Sequence, residues 1–315
     1  MDKLPHSLSF LAARDAVEES RRSLSALKAG RYAVFLMPWL PLLLACLFFT
    51  LTPVMYGLWR GLSMPSGRPE HLRAPEGGSV LLCLGDSITH GHIGASWVEV
   101  LRARFASQGR LVANGGVNGQ QAWNVGQRLD AALTCQPDMA VLLIGSNDVM
   151  AAERRDRAAS YKKQNKLPQT PDLPWSIGEL RALVPRLRAA VPRVALCTLP
   201  PLGDDPRHPI CELVAEYNAV VRELALEHDC VLLDIYAALT PLLSSQGLPY
   251  RGSPAYVARV VVKVILAHYL LGRSWDSIAD AAGYGATAEG IHLTEVAAHR
   301  VAELVAKFVE NAPSA

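Results

Sequence analysis

Apolar and polar positions change their pattern near residue 78. From Ser79 onward short apolar runs recur at 79–84, 111–113, 139–144, 194–199 and 230–233. Such runs, apolar on both sides of the chain, suit strands covered on both faces. Between them the apolar positions return with a helical period. Val98, Leu101 and Phe105 keep one face, and Val301, Leu304, Val305 and Phe308 match the i, i+3, i+4, i+7 template. Strands alternating with helices predict an α/β domain in three layers, with a parallel sheet between helices.

The first 78 residues read differently. Tyr32 to Trp59 carries no charge and is bounded by Arg31 and Arg60. A helix needs about 20 apolar residues to cross a bilayer, and Tyr32, Trp39, Tyr56 and Trp59 lie near the ends, where amphipathic rings favour the interface. With Pro38 and Pro41 early in the run, the cleanest spanning core is about Leu42 to Trp59. The expected organisation is a cytoplasmic, amphipathic segment 1–31, a transmembrane anchor 32–59, a Gly-, Pro- and Ser-rich linker 60–78 and a catalytic domain 79–312. Arg21, Arg22, Lys28 and Arg31 outnumber Arg60, Arg68 and Arg73 across the run, a weak vote for a catalytic domain outside the cytoplasm. The competing readings are a buried hairpin of helices and a cleaved signal peptide. The missing polar stripe speaks against the first, and the 31 preceding residues with no A-x-A site speak against the second.

Composition narrows the class. With 31 basic and 29 acidic residues the formal charge is +2, which gives no case for a nucleic-acid partner. The six cysteines form no CxxC pair and no zinc spacing. Cys83, Cys197 and Cys230 fall in the apolar runs and read as small buried hydrophobes. A Cys135–Cys211 disulfide stays open at this stage.

The chemistry gathers at the ends of the predicted strands. GDSITHG occupies 85–91, NGGVNGQ 114–120, GSND 145–148 and EGIH 289–292. In a parallel sheet all carboxyl ends lie on one edge, so the first three blocks meet there, and the fourth, read as the start of the final helix, can lie against them. Ser87 offers a hydroxyl, and His292 an imidazole able to take its proton. Glu289 can hold the other ring nitrogen. The backbone at Ser87 and Gly119 and the amide of Asn147 offer donors for an oxyanion. The bland rivals are a helix cap at Ser87, a turn glycine at 119, a loop-bracing Asn147 and a satisfied buried His292. Asp86 and Asp148 read as turn-holding residues.

These four blocks, in this order, resemble the SGNH or GDSL family of serine hydrolases. The resemblance covers about 79–312. It implies a flavodoxin-like sheet of five parallel strands, a nucleophile at Ser87, oxyanion donors at Ser87, Gly119 and Asn147, a base at His292 and no cofactor. The family's acid, normally an Asp three residues before the His, falls on Glu289, a departure from the pattern. Substrates implied are small-molecule or lipid esters, hydrolysed through an acyl-enzyme. Alternatives with the same site are an O-acyltransferase or a carbohydrate O-deacetylase; a non-catalytic binding module on this fold is the rival of another class.

Three further features complete the reading. His90 and His92 form an HxH pair with no further ligand cluster, so no metal is assigned. Residues 153–166, with six basic and two acidic residues, read as a solvated segment or as a site for anionic headgroups. Residues 255–271 are apolar almost all round and read as a buried helix or a wall for an acyl chain, followed by a short helix capped by Ser274 and ended by Gly283.

Overall fold

A computed structural model describes residues 18–19, 21–22, 40–73 and 78–311 of the chain. Its elements follow in chain order. Helix α1 spans Leu40–Leu62, β1 Ser79–Gly85, α2 Ser87–His90, α3 Trp97–Phe105 and β2 Arg110–Gly116. Then come α4 Ala122–Gln127, α5 Leu129–Ala132, β3 Met139–Leu143, α6 Ser146–Glu153, α7 Arg155–Asn165 and α8 Leu173–Ala190. The last third holds β4 Arg193–Cys197, α9 Ile210–Glu227, β5 Val231–Leu233, α10 Ile235–Leu239, α11 Pro254–Tyr269, α12 Trp275–Ala282 and α13 Glu295–Glu310.

The five strands are all parallel, in the order β2-β1-β3-β4-β5. Each of the five apolar runs forms a strand; β1, β3 and β4 are covered on both faces, whereas edge strand β5 leaves Val231 and Leu232 exposed. Val80, Leu82 and Leu84 point into one core with Leu142, Leu196 and the buried face of α8 and α9. Leu81 and Cys83 point the other way, into a core closed by α3 and α13. This is the predicted three-layer α/β/α arrangement, and the order turns at β1. The register pairs Gly85 with Gly116 and with Leu143, so the turns after β1, β2 and β3 leave the sheet at one level.

The chain divides into two compact units, one ending at Met55 and the other running from Tyr56 onward. Among the described residues no helix is long and apolar enough to cross a membrane, so the expected transmembrane anchor over 32–59 is not supported. Residues 32–39 of that run lie outside the described residues, and its last turn belongs to the second unit. There a Cβ on Gly57 would stand 3.4 Å from Leu266, and one on Gly61 would stand 2.6 Å from Ile265, so this end of α1 packs on α11. Most of the 1–31 segment also lies outside the described residues.

The stretch 60–73, read as linker, is tied to the same unit. Asn114 N donates to Gly67 O at 2.9 Å, and Arg102 donates to Ser66 Oγ at 3.0 Å. Cys135 and Cys211 are both free thiols, so the open disulfide is not formed.

Candidate active site

Ser87 opens α2 directly after β1. Asp86 caps that helix through a hydrogen bond from Ile88 N to its Oδ1 at 2.9 Å. The N–H of a helix's first residue has no acceptor inside the helix, so the Ser87 N–H is left available at the residue that lines the cleft. His292 reaches the same point from the far end of the chain. Its Nε2 lies 2.9 Å from Ser87 Oγ.

Glu289 closes the chain of side chains. Its Oε1 holds both the Nδ1 of His292 and, at 3.2 Å, the His292 backbone N–H. Both residues are buried. EGIH is not the start of the final helix, as the sequence reading had it. Thr294 caps α13, which begins at Glu295, and EGIH sits in a tight loop before it. An antiparallel bridge between Thr287 and Leu293 pinches that loop, and Gly290 turns it with φ +95°. The helix fails to reach back because this left-handed turn breaks it.

Asn147 lies in the first turn of α6, straight after β3. The turn depends on Gly145 at φ +129°, where a Cβ would stand 2.3 Å from the ring of Tyr217. Asn147 Nδ2 donates to Gln120 O at 2.9 Å and points at Asp86 Oδ2 at 3.3 Å. Gly119 sits at φ +74° in the loop after β2, and its carbonyl accepts from Asn165 Nδ2 at 2.6 Å. Ser87, Gly119, Asn147 and His292 line one cleft of about 390 Å³. Glu289 borders a neighbouring cavity of about 340 Å³ instead.

Two buried carboxylates lie under the site. Burial pushes Asp86 up to about 6, with the His292 charge acting the other way. Burial pushes Asp148 up to about 7, opposed by its bond from Ala122 N. Asp86 therefore does more than hold a turn, since it also meets the Asn147 amide. His90 is buried, and burial pushes its pKa down to about 4; its ring stands 4.6 Å from that of His92. Among the described residues no group of three or more His, Cys, Asp or Glu side chains could hold a metal.

The sequence reading missed two residues. The basic stretch 153–166 contains all of α7, and its Lys162 and Lys163 are exposed as a solvated face requires. But Arg157 and Tyr161 turn inward and are buried. Tyr161 Oη donates to Asn147 Oδ1 at 2.5 Å, and Arg157 Nη2 donates to Tyr161 Oη at 3.0 Å. The one signal was the pair Ala158 and Tyr161, three residues apart on one face of an otherwise charged helix.

The cleft has a second, apolar side. Val257, Ala258, Val261 and Val262 of α11 line it, together with Leu62 from the end of α1. Only Val264 and Ile265 of α11 are buried, so of its two expected roles the wall describes it better. Helix α12 forms as predicted, with Ser274 Oγ accepting from Ser277 N and Gly283 in the left-handed C-cap.

Comparison with known proteins bears on the family and the fold. Residues 83–256 match the family described as GDSL-like Lipase/Acylhydrolase family. No curated protein matches. Among solved structures, a catalytic mutant of an acetylxylan esterase from Geobacillus stearothermophilus is 19% identical, over 73% of this chain and 94% of that one, with a TM-score of 0.50. A putative acylhydrolase from Bacteroides fragilis is 17% identical, over 77% and 92%, with a TM-score of 0.49. At such identities the first likeness speaks for the fold.

Proposed function

The chain belongs to the GDSL-like lipase/acylhydrolase family and is a carboxylic ester hydrolase, and we propose that it cleaves esters of apolar acyl groups through an acyl-enzyme on Ser87. The observation that carries this reading is the hydrogen-bonded line from Ser87 Oγ through His292 to Glu289, opening on a cleft with an apolar wall. Ser87 Oγ attacks the acyl carbon while His292 Nε2, 2.9 Å away, takes its proton. Glu289 fixes the ring and balances the imidazolium that forms. The oxyanion accepts from the N–H groups of Ser87 and Gly119 and from Asn147 Nδ2. Collapse expels the alcohol, which leaves with the proton from His292. Water then repeats the sequence on the acyl-enzyme and frees the acid.

The acyl group lies along Val257, Val261 and Leu62, where burying methylenes stabilises by about 0.8 kcal/mol each. A second reading has its own support. Asn118, Ser160 and Gln164 also line the cleft, and polar side chains suit a sugar, which would make the enzyme a carbohydrate O-deacetylase. A panel of aryl esters from acetyl to decanoyl, run beside an acetylated oligosaccharide, separates the two. Rising kcat/KM with chain length supports the apolar acyl reading. Activity confined to acetyl groups, with acetate released from the saccharide, supports the second. No turnover on any ester and no labelling by a fluorophosphonate would leave a binding module.

A lipid surface is part of the same proposal, with the catalytic domain outside the cytoplasm. Its support is α1, along which Leu44, Phe48, Leu51, Met55 and Trp59 are all exposed. Exposed apolar side chains in a row are costly in water and suit a membrane interface.

A further inference from the structure

We propose that Tyr161 and Arg157 are positioning residues that set the polarity of the oxyanion donor Asn147. This rests on the reading above that Asn147 donates to the oxyanion. An asparagine amide has two nearly isosteric ends, one donating and one accepting. Turned the wrong way, Asn147 would present carbonyl lone pairs to a developing negative charge. Something must decide between the two orientations.

On the Oδ1 side the deciding group is Arg157. A guanidinium has donors and no acceptor. Its Nη2 lies 3.0 Å from Tyr161 Oη, so the tyrosine oxygen has to accept there. The single phenolic proton is then free to go forward, and it meets an Asn147 side-chain atom at 2.5 Å. That atom must be the acceptor Oδ1. The amide nitrogen is thereby forced to the other side, where Gln120 O takes one hydrogen at 2.9 Å. The second hydrogen goes to the buried Asp86 Oδ2 across 3.3 Å, the longer of the two bonds and the one an oxyanion would have to draw away. Gln120 O, which can only accept, fixes the same polarity from the other side, so the amide is held between a donor end and an acceptor end.

The arrangement also acts electrostatically. Arg157 and Tyr161 are only 7% and 5% exposed, and the guanidinium carbon stands 5.0 Å from the tyrosine ring centre. Among the described residues no carboxylate lies within ion-pair distance of Arg157. A buried charge without a counter-ion costs stability. Here its field points along the line to the amide. Drawing electron density toward Asn147 Oδ1 strengthens the Nδ2–H as a donor, because linked hydrogen bonds polarise one another. The gain is largest when the carbonyl oxygen carries the full charge of the tetrahedral intermediate, so it enters kcat more than KM.

The test is a double-mutant cycle on the full chain, with an aryl ester as substrate. Tyr161→Phe keeps the ring and removes the proton that fixes Oδ1. It is expected to lower kcat about tenfold at nearly constant KM. Asn147→Ala is expected to cost more, and adding Tyr161→Phe to it should cost nothing further, since the polarity of an absent amide cannot matter. Arg157→Lys, which keeps a charged donor, should retain more activity than Arg157→Met. Melting curves of each variant check that the fold survives. Full kcat from Tyr161→Phe overturns the proposal, as does a Tyr161→Phe loss that persists undiminished beside Asn147→Ala, or one expressed in KM alone. Full activity from Asn147→Ala is a different failure: it removes Asn147 from the oxyanion hole, and the proposal falls with that assignment.

Discussion

Ser87 and His292 stand 205 positions apart in the chain and meet at 2.9 Å, Oγ to Nε2. The sheet makes this possible. Ser87 is fixed by the end of β1, and His292 is delivered by the loop that precedes α13, which packs on the same side of the sheet as α3. Replacing Ser87 with Ala should therefore abolish ester hydrolysis and fluorophosphonate labelling while leaving the melting temperature near that of the wild type. Retained labelling would place the nucleophile elsewhere.

Glu289→Gln should give a graded loss. The amide oxygen can still accept from the His292 backbone, but the negative charge behind the imidazolium is gone. A drop in kcat of roughly 10³ is expected, well short of the loss at Ser87. Glu289→Asp should be milder, since it keeps the charge and shortens the arm by one methylene. Wild-type turnover from Glu289→Gln would take this residue out of the site.

Val261→Asp should discriminate among acyl chains. Val261 lines the cleft on the apolar face of α11, so a carboxylate there should lower kcat/KM for octanoyl esters by one to two orders of magnitude, roughly the cost of losing buried methylenes and exposing the chain to a charge. Acetyl esters should change little. Equal losses for both chain lengths would mean that acyl groups bind elsewhere.

Asp148 should make stability fall as pH rises. Its folded pKa, about 7, is above the ordinary carboxylate value because burial disfavours the charge. The folded state thus holds a proton that the unfolded chain gives up near pH 4. The contribution is complete below that pH and is lost progressively up to about pH 7. Asp148→Asn cannot ionise, so its melting temperature should gain on that of the wild type between pH 5 and pH 8. A difference that stays constant over this window would show that Asp148 is charged in the fold throughout.

Attachment to lipid should be visible by flotation of the full chain with anionic vesicles. Trp59 is 60% exposed on α1, so Trp59→Glu should weaken flotation without lowering turnover of a soluble ester. A full chain that never floats would end the lipid-surface proposal.

Much of the fold was legible because burial on both faces writes continuous apolar runs. β1 begins at Ser79 as expected, and the predicted 111–113 run grew to Arg110–Gly116 because its polar end pairs with Gly85. Three of the four motif blocks fell at strand ends for the same reason. What escaped were features decided by tertiary contact. Nothing in the periodicity of 153–166 says that Arg157 faces inward, since what receives it is the Tyr161 hydroxyl and ring one helical turn on. Nor could the pattern of 255–271 say which side stays open to the cleft. The anchor reading rested on a run of uncharged residues, and Gly57 and Gly61 at its end find their use in packing against α11 instead.

The loop pinched by the Thr287–Leu293 bridge carries the base and its acid within four residues of each other. They are thus one moving part. Any excursion of this loop breaks the contact between Ser87 and His292 first and leaves the imidazole–carboxylate pair intact. Loss of activity on warming should then run ahead of loss of the sheet, as a local detachment that reverses on cooling. The long connection between β5 and this loop, which brings in α11 and α12, has a corresponding freedom. Substitutions on the cleft side of α11 should therefore reshape the wall without retuning the proton path.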